Sequence, residues 1–328
     1  MKYNEFSNTG WKVSEIGLGC WQIGWCWGDV SNKDARNLLH KALDKGINFF
    51  DTSDTYGDGR SEKFLSEIKK IRSNQIYVTT KLGRRIRGTN YKKGYKHEPM
   101  EEFINRSLKN LDVEKIDLVQ LHCPPIDICK NKETYEKMDE FVKKGKIQFY
   151  GVSVYNLSEA YEAIKHPNVK SIQLVFNIFR QKPLEKFLKI VHEKKIAIIA
   201  RGPLASGMLG GDINRNTKFP ENDHRNYNIN GQAFNIGDTF SGVNFSKGLE
   251  AVEELKKILP NKFTLSNLAL KWILMHKEIT AVIPGAINEK QVESNALVTD
   301  MPEISEIMSK IKNIYEKFIK KDVHEKWN

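Results

Sequence analysis

The feature that most constrains this chain is the regular alternation of strand-like and helix-like segments along nearly its whole length. Short apolar, β-branched runs recur, and most precede a segment whose apolar residues have helical spacing. We place the strands at residues 16–20, 47–51, 76–81, 116–122, 147–154, 171–177, 196–201 and 279–283. Such alternation indicates a parallel sheet with right-handed crossovers, because parallel neighbours need a long connection between them.

Eight such units favour a closed barrel over an open doubly wound sheet. A (β/α)8 TIM barrel takes about 250 residues, so the 328 residues of the chain fit one barrel with insertions. No GxGxxG motif follows a predicted strand, which disfavours a Rossmann domain. We therefore predict an α/β fold, with a single TIM barrel domain over residues 1–328. An N-terminal β-hairpin at 2–15 should plug its bottom, and an extra C-terminal helix at about 302–320 should precede a polar tail.

Residues 205–245 stand apart from this alternation. They are rich in Gly, Asn and Asp and have no hydrophobic period. A long irregular segment within a compact domain is usually a functional loop or disordered. Because it follows the seventh strand, we predict a long loop that closes over a bound cofactor or substrate.

Composition narrows the class of protein. The formal net charge is +11, but the excess is mostly lysine scattered over helix faces, without an arginine-rich block or an aromatic–basic stripe. We therefore expect no nucleic-acid partner, and we interpret the charge as a solvated surface that attracts anionic ligands. The start of the chain lacks the apolar core of a signal peptide, and no run is long enough to span a bilayer. We expect a cytoplasmic protein without a membrane partner, whose oligomeric state the sequence leaves unknown.

The cysteines are expected to be free thiols in a reducing compartment. Their positions form no CxxC pair and no spacing typical of a metal site, so no metal is expected. They are Cys20, Cys26, Cys123 and Cys129.

Polar side chains collect where the predicted strands end. In a TIM barrel the active site lies at the C-terminal ends of the strands. Each of these residues has an ordinary structural explanation by itself, since a strand-end lysine can reach solvent and a lone histidine is more often structural. Together they place a carboxylate, a phenol, an ammonium and an imidazole on one rim, which favours a functional cluster. The strand-end residues are Asp51, Tyr56, Lys81, His122, Ser153, Gln173, Asn177, Arg201 and Gly285.

This set suits acid catalysis on an oxygen atom. A tyrosine has an ordinary pKa of about 10 and is a poor acid near neutrality, but a neighbouring Lys81 ammonium would lower the pKa of Tyr56. Asp51 would hold that lysine, and His122 could donate a hydrogen bond to a substrate oxygen. The sequence shows neither a metal-ligand set nor an activated Ser or Cys nucleophile. The electrons would then come from a hydride-donating cofactor.

With these residues in place, the chain resembles the aldo-keto reductases over nearly its whole length. The resemblance rests on an ordered set of segments, which is far more specific than any one of them. The segments are 17–21, 51–57, 80–83, 117–122, 151–153, 202–207 and 283–286, with Gln291 and Asn295 behind the last. It implies a (β/α)8 barrel that reduces an aldehyde or ketone to an alcohol by hydride transfer from NADPH.

The resemblance also implies roles for individual residues. Tyr56 would be the general acid, Lys81 and Asp51 its tuning partners, and His122 the residue that orients the carbonyl. Ser153 and Gln173 would bind the nicotinamide amide, and Trp21 would line the substrate pocket. The other implied cofactor-binding residues are Arg201 against the nicotinamide, Gly202, Leu204, Ser206 and Gly207 around the pyrophosphate, Gly285 at the eighth strand end, and Gln291 and Asn295 at the adenosine end.

Four departures from the family pattern bear on the cofactor. Val154 stands where an Asn is common, Arg201 where an aromatic ring is common, and Asp212 where a phosphate-binding Lys is common. Ile287 occupies the position of a frequent ligand to the 2′-phosphate. We therefore expect NADP(H) as the cofactor, with NAD(H) also possible.

Two other interpretations remain open. Some barrel subunits of this fold bind a nicotinamide cofactor but serve mainly as regulators of a membrane channel. Retention of His122 with Asp51, Tyr56 and Lys81 favours an enzyme over such a regulator. The other interpretation is a different eight-stranded barrel enzyme, such as a lyase. The physiological carbonyl substrate is not identified by the sequence.

Overall fold

A computed structural model describes residues 1–24, 30–72, 75–86 and 88–328, except for the side chains of residues 88–91. Cys26, one of the four predicted free thiols, lies outside the described residues. Cys20, Cys123 and Cys129 are free, as expected.

The chain begins with an antiparallel hairpin, β1 (Tyr3–Glu5) and β2 (Lys12–Ser14). Its apolar residues lie beneath the barrel, where Phe6 packs on Phe49 with ring centroids 5.5 Å apart. Trp11 stacks on Tyr77 at 4.5 Å. The hairpin therefore closes the lower end of the barrel, as predicted.

Eight parallel strands form the barrel wall, each paired with the next along the chain. Backbone hydrogen bonds from Gly17 N to Val282 O (2.8 Å) and from Gly19 N to Pro284 O (3.0 Å) join the first strand to the last. The predicted (β/α)8 fold is confirmed. The strands are β3 (Leu18–Gly19), β4 (Phe49–Asp51), β5 (Tyr77–Leu82), β6 (Ile116–His122), β7 (Ile147–Ser153), β8 (Val169–Val175), β9 (Ala197–Arg201) and β10 (Ala281–Val282).

Helices surround the barrel and bury their apolar faces. In α1 (Asn32–Asp44), the Ser31 hydroxyl caps the N-terminus by accepting from the amide of Asp34. Leu38, Leu39 and Ala42 of that helix are buried, which is the spacing of one helix face. The other helices are α2 (Arg60–Ile71), α3 (His97–Leu111), α4 (Ile126–Lys130), α5 (Lys132–Lys143), α6 (Leu157–Ala163), α7 (Phe187–Glu193), α8 (His224–Tyr227), α9 (Phe245–Lys257), α10 (Leu265–Leu274), α11 (Glu289–Leu297), α12 (Met308–Ile314) and α13 (Lys320–Val323).

The long segment 205–245 is folded, not structureless. It contains α8 and three short 3-10 helices, and it buries His224, Asn228 and Phe240. Single turns are too short to give a hydrophobic period, so the sequence pattern could not show them. The 3-10 helices are Ala205–Gly210, Ile236–Asp238 and Phe240–Gly242.

The C-terminal end departs from the expected polar tail. A π-helical turn, Tyr315–Ile319, joins α12 to α13. Beyond it, Trp327 is only 6 % exposed, and the Arg180 guanidinium lies 3.7 Å from the centroid of its ring. A lone tryptophan among charged residues gives no helical pattern, which is why its burial was not predicted. Along the described ranges, none of the helices has the length and apolar composition that crossing a membrane requires.

Candidate active site

An ion pair lies at the centre of the barrel mouth. Asp51 ends β4, and Lys81 lies near the end of the neighbouring β5. The Lys81 Nζ donates to Asp51 Oδ1 at 2.6 Å and to the Thr52 carbonyl at 2.7 Å. Both side chains are buried, so each charge needs the other as a partner. Burial by itself lowers the pKa of Lys81, but Asp51 and Tyr56 outweigh it and hold this pKa above its ordinary value.

Tyr56 contacts this ion pair from the turn that follows β4. Its hydroxyl is 3.3 Å from Lys81 Nζ, and the ammonium lies 4.9 Å from the ring centroid. Burial raises the pKa of Tyr56 to about 12, although Lys81 acts to lower it. We expected the lysine to dominate, and the structure shows that desolvation of the phenol is larger. The phenol is therefore protonated at neutral pH and available as a donor.

His122 ends β6 and faces the same space. Its ring is edge-on to that of Tyr56, with centroids 6.3 Å apart, and its carbonyl accepts from the Tyr95 hydroxyl at 2.6 Å. Burial, followed by the charges of Arg84, Lys81 and Arg201, holds the pKa of His122 well below its ordinary value. A neutral imidazole has one N–H to donate.

A buried chain of polar atoms supports this histidine from behind. His122 Nδ1 lies 3.3 Å from Ser53 Oγ, which donates to Asp54 Oδ1 at 3.1 Å. Asp54 is fully buried, and burial, with the charge of Glu62, raises its pKa to about 7. Sequence reasoning missed Ser53 and Asp54. The available signal was two polar residues inside a turn between Asp51 and Tyr56.

A second layer of amides surrounds Asp51. Gln173, near the end of β8, donates from Nε2 to Asp51 Oδ2 at 2.7 Å, and Gln120 of β6 approaches the same oxygen at 3.4 Å. Ser153 Oγ donates to Gln173 Oε1 at 3.3 Å. The structure therefore brings together Ser153 and Gln173, which were predicted to bind the nicotinamide, and it links Gln173 to the Asp51–Lys81 ion pair. Gln120 was not predicted, although a glutamine inside an apolar strand was the available signal.

Arg201 ends β9 and forms an ion pair with Asp238 of the long segment. Its Nη2 also donates to the Val154 carbonyl at 3.2 Å, and its guanidinium lies 5.4 Å from the centroid of the Tyr155 ring. Arg201 is thus on the rim, as predicted. Asp238 and Tyr155 were not predicted, because the sequence pattern does not place loop side chains.

The backbone after Arg201 forms a concave turn. Four of its residues have positive φ angles: Gly202 (60°), Ala205 (46°), Ser206 (55°) and Gly207 (91°). Left-handed residues turn the chain sharply, and turns of this kind can present backbone amides to an anion. Ser206 Oγ also donates to the Asp238 carbonyl at 3.0 Å, and this turn is therefore joined to the long segment. Leu204 contributes its carbonyl, which accepts from Gly207 N at 2.9 Å.

The predicted adenosine end lies at the start of α11. Gln291 Oε1 accepts from the Ile287 amide at 2.9 Å. Asn295 is 4 % exposed, and its Nδ2 has no hydrogen-bond partner among the described residues. A Cβ atom on Gly285 would lie 2.1 Å from the end of the Gln22 side chain, which would have to move to admit it. An unpartnered buried amide and a concave turn are features that a dinucleotide would complete.

Trp21 covers Tyr56 at the mouth. Its ring centroid is 6.2 Å from that of Tyr56 and 4.9 Å from that of His224, which lies in the long segment. The structure thus places the predicted substrate-binding tryptophan beside Tyr56, the predicted general acid. Over the described ranges, no group of three or more His, Cys, Asp and Glu side chains is arranged to hold a metal ion.

The comparisons with known proteins agree with this geometry. The sequence profile of the Aldo/keto reductase family matches residues 15–316. The aldo-keto reductase YhdN of Bacillus subtilis is 29 % identical over 324 residues, which cover 97 % of this chain and 95 % of the relative. A protein of Arabidopsis thaliana named as a probable voltage-gated potassium channel subunit beta is 28 % identical over 320 residues, 92 % of each chain.

A solved structure shares the fold. The aldo-keto reductase AKR11C1 of Bacillus halodurans, in its holo form, superimposes with a TM-score of 0.76 at 26 % identity and covers 99 % of each chain. The chain therefore belongs to the aldo/keto reductase family.

Proposed function

We propose that the protein reduces an aldehyde or ketone to an alcohol, with NADP(H) as the hydride donor and Tyr56 as the proton donor. The observation that carries this proposal is the contact of the Tyr56 hydroxyl with Lys81 Nζ, which is itself paired with Asp51. The Lys81 ammonium, held by the Asp51 carboxylate, stabilises the Tyr56 phenolate. It therefore favours transfer of the phenol proton to a substrate oxygen that becomes negative nearby.

Each protein group has a distinct part in this reaction. His122, being neutral, donates a hydrogen bond to the carbonyl oxygen and orients it. Tyr56 transfers its proton to that oxygen, and Lys81 stabilises the phenolate that remains, because the ammonium is 3.3 Å away and screened from water. Asp51 keeps Lys81 charged and in place. NADP(H), when bound, supplies the hydride.

The residues at the rim fit such a cofactor. We place its nicotinamide amide at Ser153 and Gln173, and its ring against Arg201. The turn 202–207 would hold the pyrophosphate, and Gly285, Gln291 and Asn295 the adenosine end. Two supporting observations are the unpartnered Nδ2 of buried Asn295 and the positive φ angles of the turn. A relative from Schizosaccharomyces pombe, 28 % identical over 295 residues, is named "Aldo-keto reductase yakc [NADP(+)]".

Replacement of Tyr56 by Phe tests this proposal. The variant keeps the ring but removes the proton, so kcat for an aldehyde should fall by about 10² to 10⁴. NADPH binding, followed by quenching of tryptophan fluorescence, should be retained. Tyr161→Phe, on the outer helix α6, is the matched control and should behave like the wild type. Turnover of Tyr56→Phe near the wild-type rate would refute the assignment.

A second candidate function is regulation of a membrane channel, which the similarity to the probable channel β subunit favours. We rank it below the enzyme, because Asp51, Tyr56, Lys81 and His122 are all present and brought together. A panel of aldehydes and ketones distinguishes the two functions. Absence of turnover with every carbonyl, together with intact NADPH binding, would favour the regulator.

A further inference from the structure

Arg84 is a positive charge at the mouth of the barrel, and no carboxylate of the described residues forms an ion pair with it. It follows β5 by two residues and is partly buried. Its Nη1 donates to the Tyr155 hydroxyl, and its guanidinium lies 5.5 Å from the centroid of that ring. Among the described residues, no Asp or Glu oxygen lies within ion-pair distance of it. A guanidinium has five N–H donors, so Arg84 can bind a further group besides Tyr155.

Arginines near Arg84 contact a carboxylate directly, which Arg84 does not do with any described residue. Arg85 and Arg106 both contact Asp58 at 2.7 Å. Arg201, whose guanidinium also lies near the Tyr155 ring, is paired with Asp238. The Tyr155 ring therefore lies close to two guanidinium groups, at 5.5 and 5.4 Å. In the part of the chain that the structure describes, Asp238 is the one carboxylate that pairs with either of them.

The uncompensated charge lies close to the proposed reaction centre. After burial, Arg84 is the largest of the charges that lower the pKa of His122, ahead of Lys81 and Arg201. Lys81 is balanced by Asp51, whereas the single carboxylate of Asp238 acts on both Arg201 and Arg84. The described residues beside His122 therefore carry one excess positive charge. Partial burial of an unpaired charge costs free energy, which an anionic ligand would recover.

We propose that Arg84 binds an anionic group of the carbonyl substrate, so that the preferred substrate is an aldehyde or ketone that also carries a carboxylate or a phosphate. The planar fork of a guanidinium matches the paired oxygens of both groups. This inference rests on the proposed carbonyl reduction, and it adds the substrate class. The Tyr155 hydroxyl fixes the orientation of the fork, and Arg201, paired with Asp238, lies near the ring of the same tyrosine.

Matched substrates test the proposal. The value of kcat/KM is measured with NADPH for succinic semialdehyde against butanal, which have chains of equal length, and for glyceraldehyde 3-phosphate against glyceraldehyde. The wild type should prefer at least one anionic member of these pairs by about tenfold or more. The two pairs separate carboxylate from phosphate recognition. Higher salt should reduce the preference, because the site is partly exposed.

The variant Arg84→Gln removes the charge and keeps a donor for Tyr155. The ratio of kcat/KM for the anionic member over the neutral one should fall by about 10- to 100-fold, as expected for loss of a hydrogen bond to a charged group. Arg84→Lys keeps the positive charge but lacks the planar fork, so it should give an intermediate ratio. It also serves as the test if Arg84→Gln does not fold. Arg36→Gln, an exposed arginine of α1 that pairs with Glu67, changes the net charge equally and should leave the ratio unchanged.

Specific results would overturn the inference. An equal loss for the anionic and neutral substrates in Arg84→Gln would mean that Arg84 only supports Tyr155, and a weaker NADPH affinity would mean that it contacts the cofactor. Absence of any preference in the wild type, with neutral aldehydes still reduced, would reject the substrate class and leave the proposed function standing. Failure to reduce any of the four carbonyls would instead reject the proposed function.

Discussion

Asp54 is a carboxyl group that the fold buries without giving it a cationic partner. Its Oδ2 has no hydrogen-bond partner among the described residues, and only Ser53 donates to its Oδ1. Burial, then the charge of Glu62, raises its pKa to about 7, because the Ser53 hydrogen bond and the charges of Arg85 and Arg106 lower it by less. The turn between Asp51 and Tyr56 therefore contains a group that titrates near neutrality.

This raised pKa predicts how stability depends on pH. Protonated Asp54 contributes its full stabilisation at a pH below the ordinary carboxyl pKa. That contribution is lost as the pH rises toward 7, because the folded protein must then hold a buried carboxylate. Asp54→Asn has no such charge. Its free energy of unfolding, relative to the wild type, should therefore rise by about 1.4 kcal/mol per pH unit up to pH 7 and stay constant above. Urea unfolding of both proteins at pH 5, 6, 7 and 8 measures this. A difference that is the same at every pH would contradict it.

Single residues differ in how far the sequence could specify them. Asp51, Lys81 and His122 were predictable because each ends or nearly ends a strand, and all strand ends of a barrel point to one rim. The contact between Gln173 and Asp51 was not predictable, because it joins residues on strands that are not neighbours in the sheet. The sequence also did not predict that the pKa of Tyr56 rises, because the burial that raises it results from packing in the folded site.

The segment 205–245 is joined to the barrel through Asp238, and it has exposed stretches between its buried residues. Near its start, Ser206 bonds to the Asp238 carbonyl, and near its end Asp238 pairs with Arg201. Residues 214–216 are exposed, as is Lys218. The eight strands and most helices followed from hydrophobic periodicity, whereas this segment consists of isolated turns that have no period. The closure of this segment over a bound cofactor or substrate stays a prediction.

We expect bound dinucleotide to protect this segment from proteolysis. Trypsin should cut the free protein after Arg215 or Lys218, and NADPH should slow that cleavage, because the turn at 202–207 that would hold its pyrophosphate is bonded to the same segment. Lys262, exposed between α9 and α10, is the internal control and should be cut at the same rate with and without NADPH. Equal cleavage at Arg215 and Lys218 in both conditions would count against a closing segment.

For the molecule as a whole, the net charge of +11 favours anionic ligands in general, but discrimination between cofactors is a local matter. NADPH differs from NADH by a 2′-phosphate. Residues 285–291 contain no arginine, Ile287 is 45 % exposed, and the Gln291 side chain is already bonded to the Ile287 amide. Lys290 is exposed and provides one mobile charge.

We therefore expect NADPH to be preferred only weakly over NADH. One exposed lysine and a few neutral contacts should contribute about 1–2 kcal/mol, or roughly ten- to thirtyfold in affinity. Measuring kcat/KM for both cofactors with one saturating carbonyl tests this, and Lys290→Gln should reduce the ratio further. A preference above about a thousandfold would reveal a phosphate site elsewhere in the barrel mouth.

The hydrogen bonds that close the barrel join Gly17 and Gly19 to Val282 and Pro284, near opposite ends of the chain. Until residues 281–285 are in place, the sheet has two open edges, at β3 and β9, each with unpaired amides and carbonyls. Open edges of a parallel sheet pair readily with other chains, and a contact across so many residues forms late in folding. Resistance to aggregation in this protein thus depends on a two-residue strand, β10, supplied by the last fifth of the sequence.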